Sequence, residues 1–188
     1  MAELTVDDVE WFTGGALAAD GDETQRILDA ALAAARADVG WHVSPVLTDD
    51  VLTVDGPGGT RLRLPTRKIV SVTELVEAGV SLDPLADITV SASVPGLIVK
   101  TGGGYWTGAI AGITITLDHG YTEDEAADWR QAVLQMCKEM GSAAGRSDAD
   151  LVSKQVDDVV YRWGPLAAKA AYTADTVLDR YRLNPGMA

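Results

Sequence analysis

A change in the period of the apolar residues constrains this chain more than any single motif. Up to residue 40 and again after Tyr121, apolar side chains recur at three- and four-residue spacing, the period of an amphipathic helix. From Val51 to His119 the pattern is different: short β-branched runs such as "VLTV", "KIVSVTELVE", "DITVSA" and "GITITLDHG" are broken by glycine, proline and aspartate. No single element satisfies both periods. The expected order is therefore helix, inserted antiparallel sheet, helix and tail, which is the α+β class. The predicted body covers residues 1–163 with a β insertion at about 51–119, and residues 164–188 form a C-terminal arm.

Local signals fill in the elements. In "TVDDVEWF" Thr5 is a helix cap with Asp8 as its box partner, and in "DGDETQRILDAALAAARADVG" Asp20 and Glu23 hold the corresponding positions. Leu28, Leu32, Ala35 and Val39 form the apolar stripe of that second helix, and Gly40 ends it. Ile113, Ile115 and Leu117 alternate with Thr114, Thr116 and Asp118, so this strand has one buried and one wet face. Thr122 and Glu125 form a box ahead of the longest predicted helix, whose apolar face carries Ala126, Trp129, Val133, Met136 and Met140. A polar linker, "GSAAGRSDAD", leads to the strand-like "KQVDDVVYRW". The last segment, with weak helical period through Val177, Leu178 and Tyr181, has no core-sized apolar face of its own.

With 188 residues the chain suits one core with appendages. Its 15 basic and 28 acidic residues give a formal charge of -13, which opposes binding to a nucleic-acid backbone and excludes sequence-reading of DNA as the expected function. The same charge suits a surface past which DNA slides. The first residues, "MAELTVDDVEWF", carry acids where a secretory signal has bases, and no run reaches the length of a membrane span, so a soluble protein made inside the cell is expected. Cys137, the single cysteine, reads as helix packing.

The chain offers little site chemistry. Residues 100–112, "KTGGGYWTGAIAG", separate Gly103 and Gly108 as a P-loop would, but Ala109 and Ile110 stand where lysine and a hydroxyl are needed. Counting from Gly102, the sixth position of a dinucleotide fingerprint is Thr107, and a strand follows. The stretch is read as a loop between strands. "DGDETQ" lacks the glycine and glutamate of a calcium loop, since Gln25 and Ala31 occupy those positions, and "DAD" at 148–150 does no better. His42 and His119 lie at opposite ends of the sheet insertion, and nothing in their spacing brings them together. No catalytic residue, cofactor or metal is expected. Aromatic residues outside periodic faces are better candidates for contacts with partners: Trp11 with Phe12, Tyr105 and Trp106 in the glycine loop, and Tyr161 and Trp163 before the tail.

The combination of "LRLPTRKIVSVTEL" at 62–75 with "YWTGAIAGITITLDHGYTEDEAADWRQAVLQMC" at 105–137 resembles the head-to-tail connector, or adaptor, proteins of long-tailed bacteriophages. The matching positions are the step Leu64–Pro65, the strand Val70, Ser71 and Val72 preceded by Ile69, the turn at Trp106, and the Gly120–Tyr121 step into a long helix. Toward the C-terminus, Asp158, Tyr161, Tyr181 and Arg182 fit the family's pattern. Its Glu-x-x-Gly-Asp core is altered, with Gln155 or Lys154 and Asp157 at the glutamate and glycine positions, which puts the register of the tail in question. The resemblance implies a structural protein of the virion neck, assembled in the host cytoplasm, forming a ring, twelve-fold in the family, beneath the portal. Its partners are then the portal and a stopper or tail-terminator protein, with genomic DNA passing through without sequence-specific binding and no membrane. Leu178, Tyr181 and Arg182 join the contact candidates on this ground. A stopper or tail-completion protein of the same neck, or a ligand-binding β module, are the alternatives.

Overall fold

A computed structural model describes residues 4–144, 153–156, 159–162 and 174–183. These residues divide into two compact units: a β unit of Gly40–Ala126 joined by the stretch from Tyr181, and a helical unit of the chain up to Val39 with residues 127–180.

The helical unit contains α1 (Val6–Thr13), α2 (Asp22–Val39) and α3 (Ala127–Ala144). The capping box on α1 forms as read: Thr5 accepts from the Asp8 backbone N–H, and the Asp8 carboxylate accepts from the Thr5 backbone N–H at 2.8 Å. Gly14, in the left-handed conformation, closes the helix. The expected Asp20 cap does not form, because α2 begins at Asp22, where the turn is held by Thr24 N–H to Gly21 and by the Thr24 hydroxyl to the Ala18 carbonyl at 2.6 Å. Leu28, Leu32, Ala35 and Val39 are buried on the inner stripe of α2. Of the predicted stripe of α3, Ala126 just ahead of it, Trp129 and Val133 are buried, while Met136 and Met140 are half-buried and Cys137 takes the buried position beside Met136. The Thr122–Glu125 box does form, one turn before α3 starts. A hairpin of β8 (Ser153–Val156) and β9 (Val159–Arg162) follows, and residues 174–179 are helical.

The β unit begins slightly earlier than read, with β1 at Leu47–Val54, and continues through β2 (Arg61–Arg63), β3 (Ile69–Glu77), β4 (Val80–Leu82), β5 (Ile88–Val90), β6 (Leu97–Lys100) and β7 (Ile113–His119). They form two antiparallel sheets, ordered β1-β7-β3-β4 and β2-β6-β5. One long bent strand links them. β1 pairs with β7, Gly56 and Gly58 donate to Ala109 and Thr107, Trp106 donates to Gly59, and β2 pairs with β6. Residues 47–64 thus run antiparallel to residues 96–119, and 101–105 bulge out of the ladder. Gly56 makes the close passage possible, because a Cβ there would lie 2.1 Å from the Thr107 carbonyl oxygen.

Both sheets contribute to one core. Leu62, Leu64, Ile88 and Ile98 come from the smaller sheet and its flanks, and Leu75, Ile113, Ile115 and Leu117 from the larger, with Trp106 among them. The alternation read along β7 is observed, with Ile113, Ile115 and Leu117 fully buried and the intervening residues facing outward.

Candidate interaction surfaces

The glycine loop is built around a buried tryptophan. Trp106 was read as a surface contact beside Tyr105, and the structure corrects this: it is only 2% exposed and belongs to the β core. The reason is the ladder. Its backbone N–H bonds to Gly59, so it resumes the strand pairing after the bulge and its side chain turns inward. At the loop's base the Lys100 ammonium lies 5.0 Å from the Trp106 ring centroid, pairs with Glu77, and donates to the Tyr105 carbonyl at 2.9 Å. Glu77 also accepts from the Thr107 N–H. Tyr105 remains 73% exposed, and nothing lies within 4 Å of where a Cβ would project from Gly102 or Gly103. No helix follows the glycines, so the loop lacks the dipole and amides that hold a phosphate.

A second constellation was missed by sequence reading. Trp41, just past the end of α2, donates its indole N–H to the Tyr181 carbonyl at 2.7 Å. Tyr121 packs edge-on against Trp41 and Tyr181, with centroids 5.9 and 5.7 Å apart, and the Lys68 ammonium lies 5.7 Å from its centroid. Arg67 donates to the Arg182 carbonyl at 3.2 Å. Leu178 and Tyr181 are buried. The last segment was read as having no core-sized apolar face of its own; over residues 174–183 its one aromatic, Tyr181, packs on Tyr121 and accepts from Trp41, partners that no local pattern announces. Gly40 followed by Trp41 at a helix end was the only hint.

The other contact candidates are dispersed. Trp11 projects from α1 at 83% exposure, and Phe12 beside it is half-buried. Tyr161 is in β9, opposite Lys154, and Trp163 lies outside the described residues, as do Asp157 and Asp158.

His42 and His119, expected to stay apart, have ring centroids 6.3 Å apart because β7 ends beside the turn that follows Trp41. His42 bonds to the Pro45 carbonyl, and His119 to Asp50 at 3.0 Å. Among the described residues no group of His, Cys, Asp and Glu is placed to hold a metal ion. Burial raises the Cys137 thiol to about 11, the opposite of an activated nucleophile. A cleft of about 330 Å³ between Arg67, Lys68 and the turn bearing Ser91 and Ser93 is open to solvent. No helix of the described residues is long and apolar enough to cross a membrane.

No protein-family model matches the chain, and no curated protein matches it. Solved structures do. A chain in the neck of a native GTA particle, computed with C12 symmetry, is similar over 100% of this chain and 97% of its own, with TM-score 0.57 and 16% identity. One in the neck of an empty GTA particle, computed with C6 symmetry, matches over 98% and 93%, with TM-score 0.54 and 19% identity. One in the virion of the native gene transfer agent matches over the same shares, with TM-score 0.57 and 19% identity. The whole chain therefore shares its fold with chains of gene transfer agent necks, in agreement with the head-to-tail connector resemblance carried by its sequence.

Proposed function

We propose that this protein is a structural subunit of a particle neck, an adaptor that forms a ring beneath the portal, joins head to tail and lines the passage for DNA. The observation that carries the reading is the likeness of fold over the whole chain to chains of necks computed with C12 and C6 symmetry. Three features support it. Trp11 and Tyr105 present exposed aromatic surface suited to contact with a neighbouring protein. The charge of -13 per copy keeps a conduit from binding the polyanion it passes. The C-terminal stretch has an anchor at Trp41 and Tyr121, through the Trp41 indole bond to the Tyr181 carbonyl and the edge-on packing of Tyr121 on Tyr181. In this reading, residues 164–188 form the portal-binding arm and 174–183 are its root.

Electron microscopy of the protein mixed with the portal encoded beside it tests the proposal. A ring capping the portal is the expected result. A bare portal with the protein bound instead to the next neck component reassigns it as a stopper or tail-completion protein, and binding to neither overturns the neck reading.

A further inference from the structure

The two sheets of the β unit carry opposite charge. Strands of the β1-β7-β3-β4 sheet contain Asp49, Asp50, Glu74, Glu77 and Asp118 and no lysine or arginine. Strands of the β2-β6-β5 sheet contain Arg61, Arg63 and Lys100 and no acid. The segregation extends into the chain around them: residues 56–73 include no acid, yet hold Arg61, Arg63, Arg67 and Lys68, four of the chain's 15 basic residues.

Some of these charges are used internally. Lys100 pairs with Glu77, Lys68 with Glu125, and Asp50 with His119. Arg67 donates to the Arg182 carbonyl. Arg61 and Arg63 flank Leu62, whose side chain is in the core, so strand alternation places both on the opposite face, where Arg61 is exposed and Arg63, across from the buried Leu97, is partly buried. The same alternation beside Leu75 and Leu117 places Glu74 and Asp118 on the outer face of the larger sheet, where Glu74 is opposite Thr116. Val51, 59% exposed, lies across from Thr116 on that face and adds apolar surface.

We propose that in the assembled ring the cationic outer face of the β2-β6-β5 sheet of one copy docks on the anionic outer face of the β1-β7-β3-β4 sheet of the next. The inference rests on the ring reading above and names its contact. A closed ring is built from a heterologous interface, in which two different surfaces of the same chain meet, and opposed sheet faces of opposite charge meet that requirement. Copies that each carry -13 repel at long range, so their contact needs local complementarity, and unit charges a few ångströms apart outweigh charges beyond the ~10 Å screening length. Strand addition at the free edge of β1 is the competing geometry, and the edge is guarded against it by the left-handed Asp49, the adjacent register shift and Pro57.

Two charge-reversed proteins test the contact by sedimentation and electron microscopy. R61E/R63E makes both faces anionic, and E74R with T53R, both exposed and on the outer face, makes both cationic. Each alone should associate about tenfold or more weakly than the wild type, whereas their equimolar mixture should reassemble as alternating copies. R61E alone provides a milder variant should R63E disturb the partly buried Arg63 side chain, and circular dichroism checks every fold. Wild-type rings that persist in both variants would overturn this contact and leave the ring standing. A wild type that stays monomeric, alone and on the portal, would overturn the ring itself. Retention of duplex DNA that is lost in R61E/R63E, with assembly unchanged, would reassign the cationic face to nucleic acid and also refute the proposal.

Discussion

Trp106→Ala removes an indole packed among Leu62, Leu75, Ile98 and Ile113, and is expected to lower the free energy of unfolding by about 3–5 kcal/mol. Chemical denaturation of the isolated chain measures this, and a loss confined to assembly would contradict the burial. Tyr105→Ala, on the exposed side of the same loop, should leave that denaturation curve in place. Cys137 is expected to resist iodoacetamide at pH 8 in the folded protein and to react once denaturant exposes it, since burial holds its thiol protonated at about 11. Two carboxylates contribute to the acid limb of stability. Asp118 is held below its ordinary value by the Asp49 N–H and then the Ser71 hydroxyl, and Glu125 by the Thr122 N–H and then Lys68. Groups depressed in the folded state contribute above their unfolded values and lose that contribution as pH falls through the folded ones, so stability should decline below about pH 4. Asp118→Asn with Glu125→Gln should flatten that decline in an acid titration followed by circular dichroism.

At the scale of elements, the helices were the most legible part of the chain because their signals are local. Thr5 with Asp8, Thr122 with Glu125, and the stripe of Leu28, Leu32, Ala35 and Val39 act within a few residues of one another. β7 was equally legible from its alternation. Trp106 was misread because glycines on one side and a threonine on the other look like a loop, while the hydrogen bond to Gly59 that returns it to the ladder joins residues 47 positions apart. The anchor at 174–183 was hidden for the same reason: the Trp41 indole reaches 140 positions to Tyr181. Removing residues 174–188 is therefore expected to lower the melting temperature, because Ala174, Leu178 and Tyr181 leave buried positions and Trp41 keeps an unmatched donor. A truncated chain that melts like the full one would refute the anchor.

For the whole molecule, the proposed arm is best tested with its root in place. Replacing residues 164–173 by a glycine-serine linker of equal length preserves the Tyr181 contacts, and is expected to leave the melting temperature within about 2 °C and to abolish capture by immobilised portal. Unchanged capture would move the portal contact elsewhere, with Trp11 as the next surface to replace. Of the contact candidates, Trp11 and Tyr105 are exposed, whereas Trp106, Leu178 and Tyr181 are buried. An aromatic residue outside a periodic face has the same signature whether it meets a partner or a distant segment of its own chain.

The sequence by itself determined the order of elements, the α+β class, the caps of two helices and the absence of any short motif for phosphate, calcium or nucleophilic chemistry, because each depends on neighbours within a few positions. Only the tertiary structure decided that one bent strand serves two sheets, that the C-terminal stretch seats on Trp41, and that cations and acids sort onto different sheets. Those features arise from pairings between segments far apart in the chain. Their partners are selected by the packing of a shared core, which no local window of residues contains.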